Sequence, residues 1–347
     1  MAEFKSFCEQ LSKIELHAHL TGSIRRGCLH EIWLDRKEKD PAFELQDPLE
    51  VIPADGVTDI MAFFPLFSKY IYHLCNDVAT VGRSTTSVLH DFHNDGVVYL
   101  ELRTTPRHNA ATGLTKTAYV ETVLRTIAEF PGAMKTNLIL SVDRRDSLET
   151  ATETVDLAIR YRNAGVVGVD LCGDPTKGEP HVFRTIFARA KSAGLGLTLH
   201  FAEIAATSSD AELETLLSFG PDRIGHVIHV SDHIKRRIAT MDPKPTLELC
   251  ISCNVQVGLD PRVQEHRDHH FGEWWREGTN PIVVCTDDVG IFSTSCSNEY
   301  LLVATHFGLS EQQLWELAFG AVNSIFADDV TKTRLCEIFL SWRENNM

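Results

Sequence analysis

Eight short runs of apolar, largely β-branched residues recur along this 347-residue chain. They are Lys13–Leu20, Val97–Pro106, Asn137–Arg144, Val166–Gly173, Leu195–Glu203, Arg223–Val230, Thr246–Ser252 and Pro281–Asp288. Stretches with helical spacing lie between them, such as Thr117–Phe130, Ser147–Ala164, Pro180–Ala193, Asp210–Phe219 and Arg262–Glu277. Strand–helix alternation builds a parallel sheet. Eight such units predict an α/β fold closed as a (β/α)8 TIM barrel, with the whole chain as one domain. An open doubly wound sheet is the alternative. It usually has a glycine-rich first βα turn, and HLTGSIRRG does not carry the G-x-G-x-x-G spacing.

The gap from Thr21 to Gly96 reads as a helical insertion after the first strand, with helices over Gly27–Lys37, Val57–Leu74 and Asp77–Asn94. An insertion there sits on the catalytic face of a barrel and is placed to act as a lid. Helices over Ser297–Phe307, Ser310–Phe319 and Asp329–Asn345 are expected outside the barrel.

Charge and cysteine content narrow the class. The net charge is −15, spread along the chain without a basic run, which argues against nucleic acid or an anionic membrane as partner. No stretch reaches the roughly 18 apolar residues of a membrane span. The opening MAEFKSFCEQLSKIEL lacks the apolar core of a signal peptide. Most of the 9 cysteines sit in apolar runs and read as reduced, buried thiols of a cytoplasmic protein, expected as a monomer. Cys250 and Cys253 have no second pair at metal-binding spacing and are expected on opposite faces of one strand. Phe271, Trp274 and Trp275 have the spacing of a packed helix face, and His269 and His270 before them read as exposed loop histidines.

The ends of the runs carry the chemistry: HAH, RTTPR, VDRR, CGDP, HFAE, GHV, SCN and TDD. In a barrel, catalytic groups gather at the C-terminal ends of the strands. His17 and His19 are two apart and face the same side of a strand. Buried imidazoles are costly unless something satisfies them, and a divalent metal does so. His200, His226 and Asp287 close three further strands. Histidines plus a carboxylate, with room for water, make a hydrolytic metal site. Glu203, just past His200, becomes a proton donor near neutral pH if its pocket is closed and apolar. Asp287 and Asp288 are adjacent and point different ways, so one can bind metal while the other orients water or substrate. Asp288 alternatively caps the next helix. Gly173 permits either a turn before Pro175 or close backbone approach to a flat ligand.

The ordered set ELHAHLTGS, VDLCGDP, TLHFAE, RIGHV and CTDD resembles the adenosine deaminase family of the amidohydrolase superfamily, from about Lys13 to Phe326. YLELRTTPR, SVDRR, LCGDPT, HHFG and Thr286–Phe292 are similar to its branch acting on N6-methyl-AMP. The resemblance implies one zinc ion per chain, held by His17, His19, His200 and Asp287. Val166–Gly173 contains no lysine to bridge a second metal. Glu203 would protonate purine N1, His226 would orient or deprotonate the attacking water, and Asp288 would bond water and the N7 edge. The Gly173 N–H would meet N3, and His19 would also face the substrate. Zinc would supply an activated water, which adds at C6 and displaces the amine. The substrate would be a 6-aminopurine nucleotide, N6-methyl-AMP giving IMP and methylamine. Thr21 stands where adenosine deaminases typically carry Asp, which removes a charge that would repel a 5′-phosphate. His73, Thr104, Thr105, Pro106 and Arg107 would line the phosphate side, and Asp143 a ribose hydroxyl. A surface ion pair is the other reading of Arg107.

Val227 departs from the pattern, with Gly usual there, and is expected to narrow the pocket or shift His226. Free adenosine or an N6-substituted nucleoside is the alternative substrate. A non-enzymatic purine-binding protein and a cyclic-amide hydrolase are the other classes; intact ligands and Glu203 argue against the former.

Overall fold

The computed structural model describes residues 2–58 and 60–347. Eight parallel strands pair in sequence order: β1 (Lys13–His19), β2 (Val97–Thr104), β3 (Lys135–Asp143), β4 (Val166–Cys172), β5 (Gly196–Phe201), β6 (Arg223–His226), β7 (Thr246–Cys250) and β8 (Ile282–Cys285). Each overlaps one of the eight sequence runs. β6 and β8 stop early because His226, Val227 and Asp287 adopt φ of 65°, 56° and 64°, which breaks the pleat. The ring closes beyond β8. His19 N–H donates to the Asp287 carbonyl at 2.9 Å, and Asp287 N–H donates to the His17 carbonyl at 2.8 Å. These bonds make a (β/α)8 barrel whose seam is sealed at its C-terminal rim.

Helices wrap the outside, and local chemistry starts them. Thr115, Ser147, Ser209 and Ser231 each accept a backbone N–H three residues ahead, opening the helices after β2, β3, β5 and β6. Val78–Asn94 opens with a reciprocal Asp77–Thr80 capping box. Cys296–Phe307, Glu311–Gly320 and Asp329–Asn346 follow β8.

Three expected elements differ. The stretch from Val57 to Leu74 divides into Ile60–Leu66, a π-helical turn Phe67–Ile71 and Tyr72–Leu74. Pro65 lies just before the turn and cannot donate to the helical ladder, which accounts for the irregularity. The helix expected over Arg262–Glu277 is confined to Phe271–Glu277, after a single turn at His266–Asp268. β7 ends at Cys250, and Ile251–Gln256 is helical. The chain turns there because Glu299 accepts the Ser252 N–H at 3.0 Å and also its hydroxyl.

Phe326 plugs the N-terminal end of the barrel. A Cβ on Gly196 would come within 2.5 Å of its ring and one on Gly168 within 2.8 Å, so only glycine lets it seat. The Arg223 guanidinium lies 3.7 Å over the ring, and the Phe326 N–H donates to Glu101. Phe326→Ala should cost about 3 kcal/mol in denaturant unfolding. Any activity housed at the C-terminal rim should be unchanged in the remaining folded protein, because the plug lies at the opposite end.

Candidate active site

Five side chains from four strand ends converge at the rim. His17, His200, His226 and Asp287 each place one ligand atom within 4.8 Å of all the others. His19 joins them, with Nε2 3.0 Å from His200 Nε2 and 3.4 Å from Asp287 Oδ1. His17 Nε2 is buried and has no hydrogen-bond partner among the described residues. Asp287 Oδ1 lies 3.4 Å from it.

The orientation of these rings comes from carboxylates behind them. His17 Nδ1 meets Glu248 Oε2 at 2.7 Å, and His200 Nδ1 meets Asp170 Oδ1 at 3.1 Å. Each pair puts the ring proton on the outer nitrogen and turns the Nε2 lone pair inward. Glu248 also binds Arg103 at 2.8 Å, Arg223 at 2.6 Å and Thr198 at 3.0 Å. Burial alone would raise the Glu248 pKa, but the two guanidinium charges hold it well below the usual range. A Cβ on Gly225 would stand 2.6 Å from His17 Cε1, so a bare β6 backbone admits the ring.

The charges in the barrel do not balance. Among the described residues, Glu101, Glu248 and Asp170 pair with the guanidiniums of Arg103 and Arg223, whereas Asp287 has no guanidinium or ammonium partner and meets only imidazoles and the Cys253 thiol. An unpaired buried ion costs several kcal/mol, more than a hydrogen bond of about 1–3 kcal/mol returns. A divalent cation at the convergent nitrogens removes the imbalance. Inward imidazole lone pairs plus one carboxylate are the donor set for such an ion.

Next to the cluster is a cleft lined by Thr21, Thr104, Thr105, Asp143, Gly173, Glu203, Asp288 and four of the five clustered side chains. Phe63, Phe64, Phe67 and Tyr72 of the insertion form an apolar wall. Burial pushes the Glu203 pKa up to about 7. Burial, then the Asp287 charge, raises Asp288 well above the carboxylate range. Asp288 precedes the helical turn Val289–Phe292 but caps nothing, and its Oδ1 has no partner among the described residues. Gly22 makes room for that carboxyl, since a Cβ there would overlap it. Gly173 has φ of 94°, and a Cβ would lie 2.4 Å from Asp143 Oδ1, so the strained turn and the close approach coincide.

His73, Pro106 and Arg107 line an adjoining cleft that shares Tyr72, Thr105 and Asp143 with the first. Arg107 stacks 4.0 Å over Tyr72 and makes no surface ion pair among the described residues; its buried Nη1 has no partner there. The Thr104 hydroxyl is 2.7 Å from Tyr119 OH.

Several sequence expectations are corrected. Cys253 is not on β7 but in the following helix, its thiol 2.9 Å from Asp287 Oδ2. His269 is buried and His270 half-buried, both hydrogen-bonded, because the short helix brings them beneath β6. Val227 does not narrow the substrate cleft; it is fully buried and lines a separate cavity behind His226.

Sequence reasoning missed Arg145, which lines the cleft and grips Asp143 through bonds of 2.8 and 2.5 Å. It also missed Glu248, Asp170, Arg103 and Asn254. A charged residue inside an apolar strand run, as in TLELC and VVGVDLC, was the available signal for the first two.

Comparison with known proteins agrees with this architecture. The sequence model of the family described as Adenosine deaminase matches residues 12–342. The chain is 36% identical to the N6-Methyl-AMP deaminase of Homo sapiens, over 95% of this chain and 92% of the human protein. It is 36% identical to the N6-mAMP deaminase of Arabidopsis thaliana, over 95% and 97% of the two chains. A crystal structure of arabidopsis ADAL complexed with IMP superposes with a TM-score of 0.89 at 34% identity, covering 100% of both chains. With a full-length family match and relatives at this identity, the chain belongs to the adenosine deaminase family of hydrolytic enzymes.

Proposed function

We propose that this chain is a zinc-dependent nucleotide deaminase that converts N6-methyl-AMP and water to IMP and methylamine. The names of the relatives support the reaction. The observation that carries the nucleotide reading is Arg107: a half-buried guanidinium whose buried Nη1 has no partner among the described residues, beside Thr105, in a chain of net charge −15. An anion on the substrate satisfies that donor. All nine cysteines are unpaired, which fits a reducing, cytoplasmic setting. Among the described residues no helix is long and apolar enough to cross a membrane.

His17, His19, His200 and Asp287 would hold the zinc, and when bound it supplies a water acidic enough to act as nucleophile near neutral pH. The rest is the work of the chain. The purine lies between the aromatic wall and the rim, with C6 toward the histidines. Glu203 is protonated below about pH 7 and gives its proton to N1, which makes C6 electrophilic. Asp288 bonds the attacking water and N7, and Gly173 N–H meets N3. Asp143, oriented by Arg145, takes a ribose hydroxyl. His73, Thr104, Thr105, Pro106 and Arg107 surround the phosphate, and Thr21 leaves it unopposed. The amine leaves as C6 becomes a carbonyl.

Five outcomes are expected. In a side-by-side assay of N6-methyl-AMP, AMP, N6-methyladenosine and adenosine, chelator-sensitive turnover should be confined to N6-methyl-AMP; turnover of adenosine at least as fast would discard the nucleotide assignment. Arg107→Gln should raise KM for the nucleotide about 10–100-fold. For Glu203, the protonated form is the active one, so kcat/KM should fall as pH rises through about 7. Glu203→Gln should lower kcat by about 10²–10⁴. Finally, zinc added to metal-free protein at about 100 times its Kd should stabilise the fold by about 2.7 kcal/mol, read as a rise in Tm, with one ion bound per chain.

A further inference from the structure

What His226 can do depends on which ring nitrogen carries its proton. A bare Nε2 makes it a metal ligand, whereas Nε2–H makes it a hydrogen-bond donor. Proximity alone does not decide, because His226 lies as close to the cluster as the other histidines.

A chain of hydrogen bonds behind the ring does decide. Phe271 begins the helix Phe271–Glu277, so its N–H has no acceptor inside the helix. It donates to His269 Nδ1 at 3.0 Å. A backbone amide only donates, so His269 Nδ1 is the acceptor and its proton sits on Nε2. That Nε2–H donates to Asn254 Oδ1 at 3.1 Å. The amide of Asn254 is thereby oriented, and its Nδ2 donates to His226 Nδ1 at 3.0 Å. His226 Nδ1 is an acceptor too, which leaves its proton on Nε2, facing the cluster with no acceptor among the described residues. His226, Asn254 and His269 are at most 3% exposed, so water does not replace any link. His270 holds the same residue from the other side: its Nε2 donates at 2.6 Å to the carbonyl of His226, whose φ is 65°.

We infer that the relay from Phe271 through His269 and Asn254 fixes His226 as its Nε2–H tautomer, so that His226 presents a proton to the attacking water and His19 completes the metal set. Asn254 and His269 are positioning residues for this reaction. What the proton meets rests on the deaminase reading; the tautomer does not.

Imidazole ¹⁵N spectra of histidine-labelled, metal-free protein test the inference without any assay. The His226 signal is assigned by its loss in His226→Gln. The expected result is a protonated Nε2 and a bare Nδ1. A protonated Nδ1 in the unmodified chain overturns the relay. Asn254→Asp replaces the donor facing His226 with an acceptor, and should move the proton to Nδ1. In the zinc-loaded enzyme it should lower kcat about 100-fold with KM within about twofold. An unchanged tautomer and unchanged kcat in that variant overturn the inference. His269→Gln retains a donor to Asn254 and should keep most of the kcat, whereas His269→Leu should lose about tenfold or more; equal loss in both would also overturn it. A protein inactive on all four purines would still report its tautomer, so failure of the substrate assignment and failure of the relay are separable.

Discussion

The carboxylate of Glu248 is the point on which this structure turns. It sits buried on the barrel axis, bound by Arg103, Arg223, Thr198 and His17. Two guanidiniums keep it ionised where burial would otherwise neutralise it. An ionised Glu248 can only accept, so it fixes the proton on His17 Nδ1 and turns the Nε2 lone pair toward the cluster. Arg223 links the same carboxylate to Glu101 and, by stacking, to the Phe326 plug. The closed end of the barrel and its catalytic end are therefore parts of one charge network.

That network is completed only at the rim. Asp287, the carboxylate without a guanidinium partner among the described residues, lies where the lone pairs converge, so fold stability and cation affinity are coupled. Local backbone strain sits in the same place. Ala202, His226, Val227 and Asp287 all have positive φ at the ends of β5, β6 and β8. Left-handed geometry costs a non-glycine residue about 1–3 kcal/mol and persists only where surrounding bonds over-determine it. Here they do: Asp287 is held by the closing hydrogen bonds to β1, and His226 by His270 and Asn254. The strain lets a side chain at the end of a strand turn across the rim toward the barrel axis.

The insertion supplies the remaining property of the site. Phe63, Phe64, Phe67 and Tyr72 face the rim with a wall of low polarity, and Glu203 lies in the same cleft. The carboxyl retains its proton near neutral pH because burial outweighs the opposing influence of His200. The irregular turn after Pro65 carries Phe67 on this segment, so a local break in helical geometry contributes to the apolar wall.

By itself the sequence determined the alternation of strand and helix, and hence the barrel. Strand runs and helix caps are local signals, read within a few residues. It also determined the chemical types at the strand ends, because polar residues stand out against apolar runs. The clustering of His17, His19, His200, His226 and Asp287 was legible for that reason. What the tertiary structure decided were the matters set by partners far apart in the chain. Glu248 and Asp170 became orienting carboxylates only once the ring closed and put them behind His17 and His200. His269 and His270 read locally as an exposed loop pair, yet a short helix carries them under β6. Arg145 is the short-range exception: it meets Asp143 only two residues away, and the conformation of the turn after β3 made them partners. Protonation states followed the same rule: the proton of His226 is set by Asn254, 28 residues away. Sequence fixes which groups a chain possesses; only packing fixes which of them meet, and a proton settles according to what it meets.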